Sequence, residues 1–207
     1  PRKSEEVEGS EKFFDNDIQD YELILVGNYW SNNTDKTSAI VQRLAETNPR
    51  ISAVAQVKNG MMGWDMKSGL TVANGQYIAV IDGDGQMPAE DLIRVYKSIK
   101  RENLDLVKTV RITRDDGKTR RTISVVFNFL FRTFFPKVKP KDINSKPKIL
   151  KRDSYRKLNL HSNDWFIDAE IMIQAKHLGF KVGEIPTKFF VQPRQGGSYI
   201  NLLTIFE

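Results

Sequence analysis

Short apolar runs separated by helix-length segments dominate the first half of this chain. Residues 22–27 (ELILVG), 51–57, 77–81 and 104–110 are too short for helices and rich in strand-forming side chains. Between the first two, Ser31 to Asp35 forms a cap-rich loop that leads into an amphipathic helix with Ile40, Val41 and Leu44 on its inner face. Residues 63–72 read as a second helix, closed by Asn74-Gly75, and a third runs from about 88 to 100. Strands alternating with helices over short connections predict a largely parallel sheet covered on both faces, in a single α/β domain.

The second half changes character. Residues 119–135 form a long helical stretch crowded with Phe127, Phe129, Phe131, Phe134 and Phe135 and carrying Arg120, Arg121 and Arg132. It reads either as a core helix or as a helix lying against a membrane with its basic residues toward lipid phosphates. Residues 142–150 are a loop feeding a short strand, 153–158 a helical turn, 168–178 a helix ending at Gly179, and 182–190 a last strand. Residues 1–20 are a polar arm, and there are no internal repeats.

Composition narrows the chemistry. The 207 residues include no cysteine and only two histidines, His161 and His177, so disulfides, thiolate metal sites and His-rich metal sites are excluded. A metal, if used, must be held by oxygen. The net charge of +6 and the concentration of basic residues between Lys108 and Lys157 call for an anionic partner. No zinc spacing, RNP-type aromatic strand or basic heptad accompanies them, so a phosphate-handling face fits better than a nucleic-acid groove. No apolar run reaches membrane-spanning length.

The most telling segment is YIAVIDGDGQMPAED, residues 77–91. Its apolar run delivers Asp82 and Asp84 to the point where a strand must end, and Gly83 and Gly85 free the backbone to turn there. Pro88 suits the first turn of the following helix, and Glu90 and Asp91 suit its positive end. Carboxylates at the carboxyl end of a buried strand stand where open α/β sheets place ligands. Their oxygens are what Mg²⁺ or Mn²⁺ prefers, usually shared with substrate phosphates. The expectation is a divalent ion bridging Asp84, with or without Asp82, to a diphosphate. The other reading is a solvated Asp-Gly turn.

Four elements follow one another in order: ELILVGNYWSNNTDKT, then QVKNGMMGWDMKSGLTVANGQYIAVIDGDGQMPAEDL, then DINSKPKILKRDSYRKL, then DWFIDAEIMIQAKHLGFKVGEIPTKF with RQGGSY after it. The series resembles the inverting nucleotide-sugar glycosyltransferases of the GT-A fold, glycosyltransferase family 2, and within them the dolichyl- and polyprenyl-phosphate sugar synthases. The resemblance spans residues 21–200, with a donor half at about 21–110 and an acceptor half at about 111–200. It implies that Asp82 and Gly83 contact the donor, that Asp84 holds Mg²⁺ or Mn²⁺ together with Asp82, and that Gln86 lies beside the metal. Asn59, Gly60 and Gly63 match a donor-binding turn, with helix-entry geometry as the competing role. Asp168 matches the catalytic base, with an N-terminal helix charge favouring the dipole as the competing role. In a helix, residues two apart point about 200° away from each other, so Glu170 is read as a structural partner. Arg111, Arg120, Arg121 and Arg194 match the basic residues that handle lipid phosphate, with solvated surface charge as the competing role of each, and Ser198 lies in a segment that resembles one closing over donor or acceptor.

The chain also departs from the pattern. No apolar strand precedes Tyr21, and Gly27-Asn28 replace a pair of aspartates, leaving Asn28 as the residue able to hydrogen-bond a base or ribose. The apolar end at residues 201–207 reads as the start of a membrane-facing segment, and truncation at both ends is expected. The resulting expectation is a metal-dependent inverting transferase, peripheral on the cytoplasmic face of the membrane. It would move sugar from a nucleotide-sugar donor to a polyprenyl or dolichyl phosphate, or to a glycan hydroxyl. The alternative is a non-catalytic relative that binds nucleotide or glycan without transfer. An aspartate phosphatase built on Asp82 and Asp84 would want a small hydroxyl residue soon after the pair, where Gly85-Gln86 stand.

Overall fold

The computed structural model describes residues 20–32, 35–84, 87–88, 90–112 and 142–188, together with Ile18, Thr133 and Phe135. Strands and helices follow in the order β1 Leu23–Val26, α1 Thr37–Thr47, β2 Ile51–Val54, α2 Met62–Val72, β3 Tyr77–Val80 and α3 Glu90–Arg101. Then come β4 Leu106–Arg111, β5 Lys148–Lys151, α4 Arg152–Tyr155, α5 Ile167–His177 and β6 Val182–Thr187.

β1 and β2 pair in parallel, from Leu23 opposite Ile51 to Val26 opposite Val54. A bridge between Tyr29 and Val57 carries their alignment further. The other strands form one sheet in the order β3-β5-β4-β6. β4 and β6 are parallel, while β5 is antiparallel to both β3 and β4. β3, β4 and β6 therefore share a direction and finish at the same edge. The parallel arrangement read from the sequence holds for these three and for the β1–β2 pair. β5 is the exception, because it starts at the edge where β4 ended and so runs back across the sheet, a pairing that needs no crossover.

Side chains alternate between the two faces of each strand. Ile78, Leu106 and Leu150 join one cluster with Met66 and Leu70 of α2 and Ile167, Ile171, Met172 and Ala175 of α5. Their neighbours Tyr77, Val107 and Ile149 join the other, with Leu92, Ile93, Val95 and Ile99 of α3. Helices thus cover both faces. Each fully buried aliphatic side chain among them contributes about 1.5–3 kcal/mol. α3 places Glu90 and Asp91 in its first turn and Lys100 and Arg101 in its last, as its dipole favours.

One core expectation fails. α1 turns Val41 inward and leaves Ile40 41% exposed. Adjacent helical residues lie about 100° apart, and Val41 occupies the space beside Gly27, where an added Cβ would fall 2.6 Å from its Cγ2. The aromatic stretch at 119–135 lies outside the described residues except Thr133 and Phe135, and Phe135 packs against the α5-side cluster. Among the described residues, no helix is long and apolar enough to cross a membrane.

Candidate active site

β3 ends at Val80, and the chain then passes through Asp82, Gly83 and Asp84, all exposed. Nothing stands within 4 Å of the position a Gly83 Cβ would take. The two aspartates are thus exposed at the shared carboxyl edge of β3, β4 and β6. Among the described residues, no three His, Asp or Glu side chains converge into a ready-made metal cage. A pair of exposed carboxylates fits Mg²⁺ or Mn²⁺, which take one or two protein oxygens and complete their shell with water and phosphate. Gln86 lies outside the described residues.

Behind Asp82 stands a buried cation cluster that the strand register assembles. Val80 faces Lys148 across the β3–β5 ladder, so the same register continued past the ladder's end puts Lys146 opposite Asp82. The Lys146 ammonium lies 3.2 Å from Asp82 Oδ1 and 3.0 Å from Asp168 Oδ2. It also reaches Met62 Sδ at 3.4 Å. Lys148 donates to Asp168 Oδ1 at 2.5 Å. On β4, Lys108 pairs in register with Lys148 and is 3.3 Å from Glu184 of β6. Its ammonium also donates to the carbonyls of Asp142 and Thr109.

The charge states differ across this cluster. Burial favours neutral Lys146, but the Asp168 and Asp82 carboxylates outweigh it and hold the ammonium above the usual lysine range. For Lys148 and Lys108 burial wins, and both lie below that range. Burial pushes the Asp168 carboxyl up, yet the two ammoniums beside it bring it down to about 2.

Asp168, expected as the catalytic base, is therefore turned inward onto two lysines with no exposed surface. A carboxylate held that low accepts a proton poorly. In this geometry it anchors cations. Glu170 has the structural place expected of it, accepting the backbone N–H groups of His161 and Ser162 at 2.9 Å each.

The glycines of the expected donor turn serve a close backbone approach. The N–H groups of Met61 and Trp64 donate to the Asn163 carbonyl and that of Gly63 to the Asp164 carbonyl, at 2.8–3.1 Å. Gly60 has φ +147°, and a Cβ on Gly63 would meet the Ser162 carbonyl oxygen at 2.6 Å. The start of α2 is thus closed by the segment that leads into α5, and these glycines fulfil the helix-entry role rather than showing an open phosphate cradle. Asn59 beside them is exposed. Gly63→Ala should destabilise the fold by about 1–3 kcal/mol through overpacking against backbone, read as a lower midpoint in urea unfolding. An unchanged midpoint would show that the two segments separate easily.

Asn28 also differs from expectation. It is buried, and its amide donates to Asp65 Oδ1 at 3.0 Å and Ser68 Oγ at 2.9 Å while its Oδ1 accepts from the Gln56 N–H at 3.0 Å. Both donors are engaged inside the protein, tying β1 to α2 and to the end of β2, so the side chain has no N–H left for a base or ribose. Asp65 is held in turn by Lys58 at 2.6 Å.

At the end of β4, Arg111 grips Asp142 with two parallel bonds, Nε to Oδ2 at 2.6 Å and an Nη to Oδ1 at 2.8 Å. It lies at the same sheet edge as Asp82. Arg120, Arg121, Arg194 and Ser198 lie outside the described residues. Sequence reasoning missed Lys108, Lys146 and Lys148. The available signal was a lysine inside or beside an otherwise apolar strand, as in LVKTVR and KPKIL, where a buried charge demands a partner.

Residues 11–160 match Glycosyl transferase family 2. An undecaprenyl-phosphate 4-deoxy-4-formamido-L-arabinose transferase from Photorhabdus laumondii is 33% identical over 112 residues, which is 53% of this chain and 33% of that protein. A dolichyl-phosphate beta-glucosyltransferase from Trichomonas vaginalis is 25% identical over 178 residues, 82% of this chain and 54% of that protein. The chain thus spans between a third and about half the length of these relatives. Among solved structures, glucosyl-3-phosphoglycerate synthase from Mycobacterium tuberculosis, in complex with Mn²⁺, UDP-glucose and phosphoglyceric acid, superimposes with a TM-score of 0.63. That match covers 83% of this chain and 61% of the other at 17% identity, a likeness of fold. With the family match extending over well more than half its length, the chain belongs to glycosyl transferase family 2 and carries the GT-A type of α/β fold.

Proposed function

We propose that this domain transfers a sugar, with inversion, from a nucleotide-sugar donor to a lipid-linked phosphate such as a polyprenyl or dolichyl phosphate. It would use Mg²⁺ or Mn²⁺ and work peripherally at the cytoplasmic face of the membrane, with a glycan hydroxyl as the alternative acceptor. The observation that carries the reading is the solvent-open Asp82 and Asp84 pair at the carboxyl edge, backed by buried cations. Family membership supports it, as do the relatives named for undecaprenyl and dolichyl phosphate and the neighbour crystallised with Mn²⁺ and UDP-glucose.

Asp84 and Asp82 would hold the ion, which when bound neutralises charge developing on the departing diphosphate. Asp82 and Gly83 would contact the donor, and Asn59 borders it. A phosphate acceptor is already anionic and needs no proton removed, in keeping with an Asp168 locked onto lysines. What it needs is positive charge near the reacting centre. Arg111 at the sheet edge, with Arg120, Arg121, Arg194 and Ser198, would supply it.

The test is incubation with a panel of nucleotide sugars, Mn²⁺ or Mg²⁺, and undecaprenyl or dolichyl phosphate in detergent. Sugar should enter the lipid fraction with one donor, and EDTA should stop it. No transfer from any donor, with or without metal, would overturn the reading. The inward-facing Asn28 favours a second reading, a non-catalytic relative that binds nucleotide or glycan. Titration of nucleoside diphosphates separates the two, since binding indifferent to Mn²⁺ supports the relative.

A further inference from the structure

Resting on that glycosyltransferase reading, we infer that Lys146 is a donor-binding residue, the protein's own cation for the nucleotide diphosphate, held in place by Asp168 and standing ready beside Asp82. Its side chain is 2% exposed, yet its ammonium touches the one member of the carboxylate pair that is 45% exposed. It is thus the buried cation that faces the open edge.

The contacts of this ammonium divide unequally. A lysine has three N–H donors. One side faces Asp168, which is wholly buried and which Lys148 holds from behind at 2.5 Å. That contact is an anchor, because neither carboxylate oxygen of Asp168 can reach water. A second side faces Asp82 at 3.2 Å and 3.3 Å. Among the described residues, the third reaches the thioether of Met62 at 3.4 Å, a weak acceptor. A diphosphate arriving at Asp82 offers oxygens that a strongly charged donor prefers to sulfur. A divalent ion on Asp82 and Asp84 would also take over the carboxylate charge that now holds the ammonium. Lys146 would then turn toward the phosphate oxygens without leaving Asp168. Lys148 and Lys108 cannot share this task, since their ammoniums are fully buried and face Asp168, Glu184 and main-chain carbonyls.

Calorimetric titration of UDP and GDP, with and without Mn²⁺, on the parent and on Lys146→Met tests this. A parallel Mn²⁺ titration without nucleotide is read by the spectrum of the free ion. The variant should bind the preferred diphosphate at least tenfold more weakly in Mn²⁺ while its affinity for Mn²⁺ alone is kept or increased, because a cation beside the carboxylates has been removed. Lys146→Arg should recover binding to within about threefold of the parent. Should Lys146→Met fail to fold, Lys146→Gln, which keeps a donor for Asp168, takes its place and is judged by the same figures. Diphosphate binding unchanged in the uncharged variant overturns the inference and leaves the glycosyltransferase reading standing. Loss of Mn²⁺ and nucleotide binding together also overturns it, since Lys146 would then only shape Asp82. A parent that binds neither UDP nor GDP under any condition overturns both.

Discussion

Asp84→Ala should cut sugar transfer by roughly a thousandfold, equivalent to about 4 kcal/mol of transition-state stabilisation, with almost no change in stability. The two halves of that expectation have separate physical origins. Asp84 is exposed beyond the end of β3 and lies outside the apolar clusters of the two sheet faces. Surface substitutions of that kind shift stability by about 0.5 kcal/mol or less. Its proposed work is confined to the moment when the diphosphate leaves and charge must be neutralised. Asp84→Asn keeps the shape and loses the charge, so it should fall nearly as far. Asp82→Ala should lose transfer too, but it also strips the buried Lys146 of a partner and so should lower the melting temperature further than Asp84→Ala does. Initial rates of sugar entering the lipid fraction, paired with thermal melts, measure both effects. Parent-like transfer by Asp84→Ala would remove the metal from the assignment.

Asp168→Asn should be the most destabilising single substitution in the cluster, by about 3–5 kcal/mol. The buried carboxylate offsets two buried ammoniums, and neutralising it leaves them, among the described residues, with the half-exposed Asp82 as the carboxylate still beside Lys146 and with an uncharged amide in place of the buried anion. For a domain of this size that amounts to a melting temperature lower by about 6–20 °C. The double variant Asp168→Asn with Lys148→Met should regain part of the loss, because it removes one of the stranded charges.

The same pair sets a pH dependence whose sign follows from the direction of the shift. Asp168 is held at about 2 in the folded protein, against about 3.9 for an unfolded aspartate. Its stabilisation is therefore complete above about pH 4 and is lost as pH falls toward 2. The stability gap between parent and Asp168→Asn should be full at pH 6 and should narrow across that acid window, as followed by urea unfolding at stepped pH. A gap that stays constant down to pH 2 would mean that the carboxylate is not ion-paired as the structure has it.

Much of the fold was legible because strand and helix signals are local. The apolar runs at 22–27, 77–81 and 104–110 fell on β1, β3 and β4, and the stretch after Asp168 fell on α5. The turn that carries Asp82 and Asp84 to a strand end was likewise readable, since Gly83 and Gly85 can serve little else directly after an apolar run. Local pattern could not tell that β5 would run antiparallel between β3 and β4. Nor could it tell that Asn28 would turn inward, because its partners Asp65 and Ser68 are 37 and 40 residues away.

The order of residues alone thus determined the alternating α/β plan, the carboxylate pair at a strand end and the rule that a metal, if used, must be held by oxygen, because each follows from residue type and short-range spacing. Only the tertiary structure decided what Lys146 and Asp168 do. Their meeting depends on a strand register that carries position 146 to position 82 and on α5 packing over β5, and long-range registers leave no trace in a local pattern.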